Sequence, residues 1–240
     1  MKRFFGIVVL ALMLSVSALS FTACSNKSDV NGAISKTKAL TFIDASVYTK
    51  ISVNAGNGAD SYELVEDILV SGDKVQLTVG EYGIKGDTVY MDKEYVYTKG
   101  ENGYTKSSLE EYTKKNGAYN EKINGILQKL PSDFFEDADI SKTGKKLNME
   151  KGIDGEMLSS TFGDLLALLQ KELNITVDDK TETKYEDCKL TLTVKDGYIT
   201  DISLKYNMLF TASKKKGTAN VKIALVLNNP GSEVTVNIPQ

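Results

Sequence analysis

Two stretches of this chain alternate apolar and polar residues, and the stretch between them spaces its apolar residues at helical intervals. In the first, Val47, Thr49, Ile51 and Val53 alternate with Tyr48, Lys50 and Ser52. A period of two places each set on its own face of a strand. Asn54 to Asp60 then reads as a turn, Tyr62 to Val70 as a strand of ambiguous face, and Ser71-Gly72-Asp73 as a second turn. Val75, Leu77 and Val79 alternate again. Short aromatic and β-branched runs follow at Thr88–Met91, Tyr95–Thr98 and Tyr104–Lys106, separated by Gly, Asn and Asp. Strands at this spacing predict an antiparallel meander.

The middle follows the other period. Ser107-Ser108 before Leu109-Glu110-Glu111 reads as an N-cap with acidic first-turn residues. Ile123, Ile126, Leu127 and Leu130 lie on one helical face, which Pro131 ends. From Asp154 to Leu173, Leu158, Phe162, Leu165, Leu166, Leu169 and Leu173 form a wide apolar stripe, broadened by Met157 and Leu168. That width predicts burial against a large surface.

The last quarter returns to period two. Cys188, Leu190, Leu192 and Val194 oppose Lys189, Thr191, Thr193 and Lys195, and Asp196-Gly197 marks a hairpin. Tyr198, Ile202, Leu204, Tyr206, Met208 and Phe210 are expected on one face. Val221, Ile223, Leu225 and Leu227 are expected on another, and Val234, Val236 and Ile238 as a final strand. The whole is expected to be a single α+β domain, with about ten antiparallel strands and about three helices on the apolar face. No helix is placed to make a parallel crossover.

The N-terminus adds an address. Lys2 and Arg3 precede an apolar run from Phe4 to Phe21, which ends at Phe21-Thr22-Ala23-Cys24. Small residues before a cleavage point mark a secretory signal. With the Cys just after it, the segment resembles the lipobox of bacterial lipoproteins, although Phe21 stands where Leu is commonest. The resemblance implies that Cys24 is diacylated and becomes the first mature residue. Residues 1–23 are therefore expected as signal peptide, 24–45 as lipidated Cys and flexible tether, and 46–240 as the folded domain. Ser25 to Gly32 is small and polar, and Ala33 to Phe42 reads as a short helix or the end of the tether. The expected location is the outer face of the bacterial cytoplasmic membrane, held there by the acyl chains.

Composition excludes more than it suggests. The chain has no histidine, so no Ser-His-Asp triad, Cys-His dyad or His-ligated zinc forms within it. With Cys24 lipidated, Cys188 has no disulfide partner and is expected as a buried strand residue. The net charge of −3 argues against nucleic acid as a main partner. The acidic groups Asp133, Glu136, Asp137, Asp139 and Asp178-Asp179 lack the alternating pattern of a calcium loop and read as solvated faces. Lys214-Lys215-Lys216 reads as a hairpin loop, or as a contact with anionic head groups. Tyr90, Tyr95, Tyr97 and Tyr104 read as cross-strand pairs, or as the rim of a cavity. No catalytic residue, metal ligand or cofactor site is expected, and the chain reads as a monomeric non-enzyme.

The order of elements resembles LolA/LolB-like lipoproteins, a group that includes mycobacterial lipid-carrying and Gram-positive surface lipoproteins. The resemblance runs from about Ser46 to Gln240. It rests on the meander, the helical middle, the Asp196-Gly197 hairpin, Val89-Tyr90 with Tyr97 and Gly103-Tyr104-Thr105-Lys106, and the closing Val234-Thr235-Val236-Asn237-Ile238-Pro239. It implies a curved open half-barrel with helices across its concave face and an apolar cavity between them. The function it implies is binding or carrying a lipid-like ligand. Leu158, Phe162, Leu166, Leu204 and Tyr206 are the expected lining. The alternative is a non-catalytic surface or sensor-like interaction protein whose core is filled by these same side chains. The address is checked by fractionating cells that express Cys24→Ala. The variant is expected to leave the membrane fraction, and a normally processed form that stays there contradicts lipidation.

Overall fold

A computed structural model describes residues 27–55, 58–172, 182–212 and 215–239. Cys24, Leu173, Asp178, Asp179 and Lys214 lie outside them. Among the described residues, eleven strands form one open antiparallel sheet. They are β1 (Phe42–Ala55), β2 (Gly58–Ser71), β3 (Lys74–Glu81), β4 (Ile84–Met91), β5 (Tyr95–Gly100), β6 (Gly103–Ser108), β7 (Asp139–Thr143), β8 (Lys146–Ile153), β9 (Glu182–Lys195), β10 (Tyr198–Ala212) and β11 (Lys215–Leu227). Their order across the sheet is β6-β5-β4-β3-β2-β1-β11-β10-β9-β8-β7. Each half is a meander, and the halves meet where the first strand pairs with the last. The expected α+β class and open antiparallel sheet are met.

Four helical segments accompany the sheet: α1 (27–38), α2 (Leu109–Asn116), α3 (Glu121–Ile123) running into a π-helical turn (Asn124–Gln128), and α4 (Gly155–Glu172). Ser108 caps α2 by accepting from Glu111 N at 3.5 Å, as its position in the sequence predicts. Asp154 caps α4, accepting from Met157 N at 2.7 Å. Leu158, Phe162, Leu165, Leu166 and Leu169 of α4 join Leu190, Leu192, Ile202, Leu204, Ile223 and Leu225 of the sheet in one buried cluster. Ile123, Ile126, Leu127 and Leu130 enter the same cluster. An added Cβ on Gly125 would stand 3.2 Å from Leu165 Cβ, so the π-helical turn and α4 approach each other over a residue with no side chain.

Four expectations change. The segment 24–45, expected as a tether, contains α1. Val30, Ala33, Ile34 and Thr37 repeat at i, i+3, i+4 and i+7 and are each at most 1% exposed. Thr37 Oγ1 donates to Ala33 O at 2.7 Å and accepts from Ile199 N at 2.9 Å, fastening α1 to the start of β10. Strands β7 and β8 stand where no strand is predicted. In β8 the core-facing row is Leu147, Met149, Lys151 and Ile153, and the lysine disguises the alternation. Lys151 Nζ reaches Phe134 O at 2.8 Å and the Asp137 carboxylate at 2.5 Å, which accommodates its charge at the edge of the core.

The predicted final strand is absent: residues 228–239 form no ladder, although Val236 is buried. A strand turning back after Leu227 would have to pair with β11, and β1 and β10 already hold both of its edges. Finally, Tyr198 leaves the face it was expected to share with Ile202. The register shifts between Ile199 and Asp201, and Ile199 takes the core position instead. The Asp196-Gly197 hairpin stands as read, with both residues at positive φ (52° and 77°).

Leu192 is 1% exposed at the centre of this packing. Leu192→Ala is expected to lower the free energy of unfolding by about 2–5 kcal/mol, read from the urea midpoint.

Candidate binding interior

The five residues expected to line a ligand site converge. Leu158 and Leu204 are 0% exposed, Phe162 1%, and Leu166 and Tyr206 4%. Strand periodicity brings Leu204 and Tyr206 to the inner face of β10, and helical periodicity turns Leu158, Phe162 and Leu166 of α4 toward the same core cluster. α4 is not continuous: Phe162 has φ −118° and ψ 20°, which kinks the helix at its middle. The Phe162 ring lies edge-on to Phe134 at 6.2 Å, and Phe134 lies edge-on to Phe135 at 5.3 Å.

Polar groups gather at the C-terminal end of α4. Gln170 Nε2 donates to Tyr185 Oη at 3.1 Å, and the Tyr185 and Tyr206 rings meet edge to face at 5.6 Å. Sequence periodicity misses Tyr185 and Gln170. Tyr185 has the wrong parity for the row of Cys188, Leu190 and Leu192, but β9 carries a register shift opposite Lys205 and Asn207, with Asp187 at φ 51°. This bulge returns Tyr185 to the inner face opposite Met208. Gln170 lies one position past the buried Leu169, and its contacts with Tyr185 and with Met208 Sδ at 3.9 Å mark it.

Burial dominates the electrostatics here. It pushes the Tyr206 phenol above its ordinary range, with Tyr185 and Cys188 adding to the shift. It also raises Tyr185. The Cys188 thiol is pushed up by burial, then by Asp187 and Asp154, so it is held as a thiol and not as a nucleophilic thiolate. The expected buried strand cysteine is what the structure contains, 5% exposed.

Across the sheet, Lys122 of α3 and Glu66 of β2 form an ion pair of 2.8 Å, with side chains 5% and 17% exposed. Glu66 is opposite the buried Val47, so this pair joins the helical roof to the inner face. Nearby, the Thr49 hydroxyl is buried with no hydrogen-bond partner among the described residues.

The remaining candidates lie elsewhere. Asp137 of the acidic group pairs with Lys151. The tyrosines of β4–β6 are cross-strand neighbours on the outer face: Tyr90 is opposite Tyr97, while the next pair, Met91 and Val96, is buried on the inner one. Tyr90 and Tyr104 rings meet at 5.7 Å, and Lys106 Nζ sits 3.4 Å from the Tyr95 ring centroid. Lys216 is exposed. No helix among the described residues is long and apolar enough to cross a membrane.

No protein-family model matches the chain, and no curated protein matches it by sequence. Among solved structures it is similar to the Mycobacterium tuberculosis lipoprotein LppX, at 10% identity and a TM-score of 0.37, over 88% of this chain and 97% of that one. It is also similar to the LolA superfamily protein NE2245 from Nitrosomonas europaea, at 10% identity and a TM-score of 0.24, over 84% of this chain and 93% of that one.

Tyr206 provides a pH signature for this interior. Its folded value lies above that of the unfolded chain, about 10. Above that pH the unfolded state loses the proton while the folded state keeps it, so stability falls as pH rises. The slope is at most about 1.4 kcal/mol per pH unit for one group. Tyr206→Phe is expected to flatten the decline between pH 9 and 11 in urea titrations, relative to the parent.

Proposed function

We propose that the protein is a lipoprotein anchored through Cys24 outside the cytoplasmic membrane, and that it binds or carries an apolar or amphipathic ligand between α4 and the inner face of the sheet. The observation that carries this reading is the composition of that interior: a broad apolar surface with a few polar groups at one end, Gln170, Tyr185 and Tyr206. Ligand sites for lipid-like molecules have this make-up, mostly apolar walls with sparse polar groups that orient a head. Leu158, Phe162, Leu166, Leu204 and Tyr206 are the proposed contacts. Their close packing calls for α4 to move when a ligand enters, and the kink at Phe162 supports a hinge there.

A second reading is favoured by the same packing. With all five side chains at most 4% exposed, the interior can serve as a filled core, and the protein then acts through its surface alone. Native mass spectrometry of protein released gently from membranes decides between them, together with titration of a fluorescent fatty acid. The carrier is expected to hold one acyl-bearing molecule and to bind the probe saturably. Protein that is repeatedly empty and does not bind the probe overturns the carrier and leaves the surface protein.

A further inference from the structure

The outer face of the sheet carries a line of lysines that the sequence hides, because its members are far apart in the chain. Lys50 of β1 is opposite Lys222 of β11, Lys222 is opposite Lys205 of β10, and Lys205 is opposite Lys189 of β9. Each is exposed, and the residues on either side of each are buried, so all four side chains leave the same face. At the ends of the line Lys50 pairs with Glu63, and Lys189 pairs with Glu150 at 2.6 Å. Lys205 and Lys222 make no ion pair among the described residues, and each has a lysine on both sides. Like charges placed directly opposite one another destabilise a sheet. The chain as a whole is acidic, so this line concentrates charge of the minority sign.

Beside it runs a second cross-strand row of neutral hydrogen-bonding groups. Ser52 is opposite Asn220, and Asn220 is opposite Asn207. The two rows border a groove of about 350 Å³. Two carboxylates stand at its β9 edge: Asp187 accepts from Asn207 Nδ2 at 2.7 Å, and Glu186, opposite Asn207, is held by Lys184 at 2.5 Å. Cations with amide and hydroxyl donors beside them are the chemistry that holds phosphate oxygens. The arrangement is elongated, since four strands at about 4.8 Å spacing put the outer lysines roughly 14 Å apart. A single phosphate would occupy one step of that length.

We propose that this groove binds a linear, phosphate-bearing polyanion laid across β1, β11, β10 and β9, with Lys205 and Lys222 as its central contacts. The site is on the face opposite the α4 interior and does not depend on what that interior holds.

The test uses the purified full chain in neutral detergent and long-chain inorganic polyphosphate as the probe, at several salt concentrations. The parent is expected to bind it with salt-dependent affinity. Lys205→Gln/Lys222→Gln is expected to weaken binding at least about tenfold, and to reduce the slope of log affinity against log salt by roughly 1.5, the share of two phosphate contacts. Lys142→Gln/Lys145→Gln removes the same charge from exposed positions off the line and is expected to bind as the parent does. Thermal midpoints of both variants at or above the parent's show that the fold is intact. Absence of polyphosphate binding overturns the proposal, and so does equal weakening in the two double variants. Mixed micelles containing an anionic phospholipid are the third arm. If they bind in a manner that depends on Lys205 and Lys222 while polyphosphate does not, the partner is a membrane surface and the proposal is wrong.

Discussion

The architecture depends on one long-range ladder. Strand β1 pairs with β11 from Ala45 opposite Leu227 to Ala55 opposite Gly217. On one side β1 to β6 form a meander of local hairpins, and on the other β7 to β11 follow in sequence order with α4 inserted between β8 and β9. Within the sheet, only this ladder joins them. It closes a loop of most of the domain, so forming it costs more loop-closure entropy than forming any of the local hairpins. It also explains the fate of the C-terminal segment. With β11 paired on both edges, residues 228–239 have no ladder to enter, and they lie along the domain with Val236 buried. Asn228 N donates to Asp44 O at 2.7 Å, and Asn228 Nδ2 donates to Asp44 Oδ1 at 3.0 Å, fastening the exit of β11 to the entry of β1.

The same ladder gives the sheet two faces of different character. Thr49 and Ile51 on β1, and Val221 and Ile223 on β11, point into the core, which leaves Lys50 and Lys222 opposite each other outside. The inner face gains its polar end from a bulge. Without the extra residue at Asp187, Tyr185 would fall on the outer face, away from Tyr206 and Gln170. A single residue inserted into β9 thus sets which groups stand at the end of α4.

Much of the fold was legible because burial on one face imposes a strict period. The rows Leu190–Val194, Ile202–Met208 and Val221–Leu227, and the α4 stripe, were readable for that reason, and so was their convergence on one core. The parts that are not legible break the period locally. Lys151 occupies a core-facing position in β8 and made a strand look polar. Val30, Ala33, Ile34 and Thr37 of α1 include a small residue and a threonine whose hydroxyl is used by Ile199 N, so its stripe carried little hydrophobic contrast. The bulges moved Ile199 and Tyr185 to the inner face by adding residues that no pattern counts. The five proposed lining residues were readable as core. Their partners Tyr185 and Gln170 were not, because the contact is tertiary.

Whether the inner face can open turns on how the roof is attached. α4 meets the sheet through apolar side chains, which resist separation by area and not by geometry, and its kink at Phe162 divides that contact into two parts. The α3 region is attached differently. Lys122 and Glu66 are paired where little water reaches, and separating them would strand both charges. Lys38 Nζ adds hydrogen bonds to Gln128 O at 3.0 Å and Leu130 O at 2.6 Å, tying α1 to the end of the π-helical turn. A buried ion pair therefore pins the α3 side of the roof to β2, while the contact of α4 with β9 and β10 is apolar apart from the Gln170–Tyr185 hydrogen bond at its C-terminal end. On the carrier reading proposed above, displacing the α4 side to admit a ligand breaks a neutral hydrogen bond and not a buried ion pair. Gln170, Tyr185 and Tyr206 stand on that side, where the proposed carrier would hold a polar head.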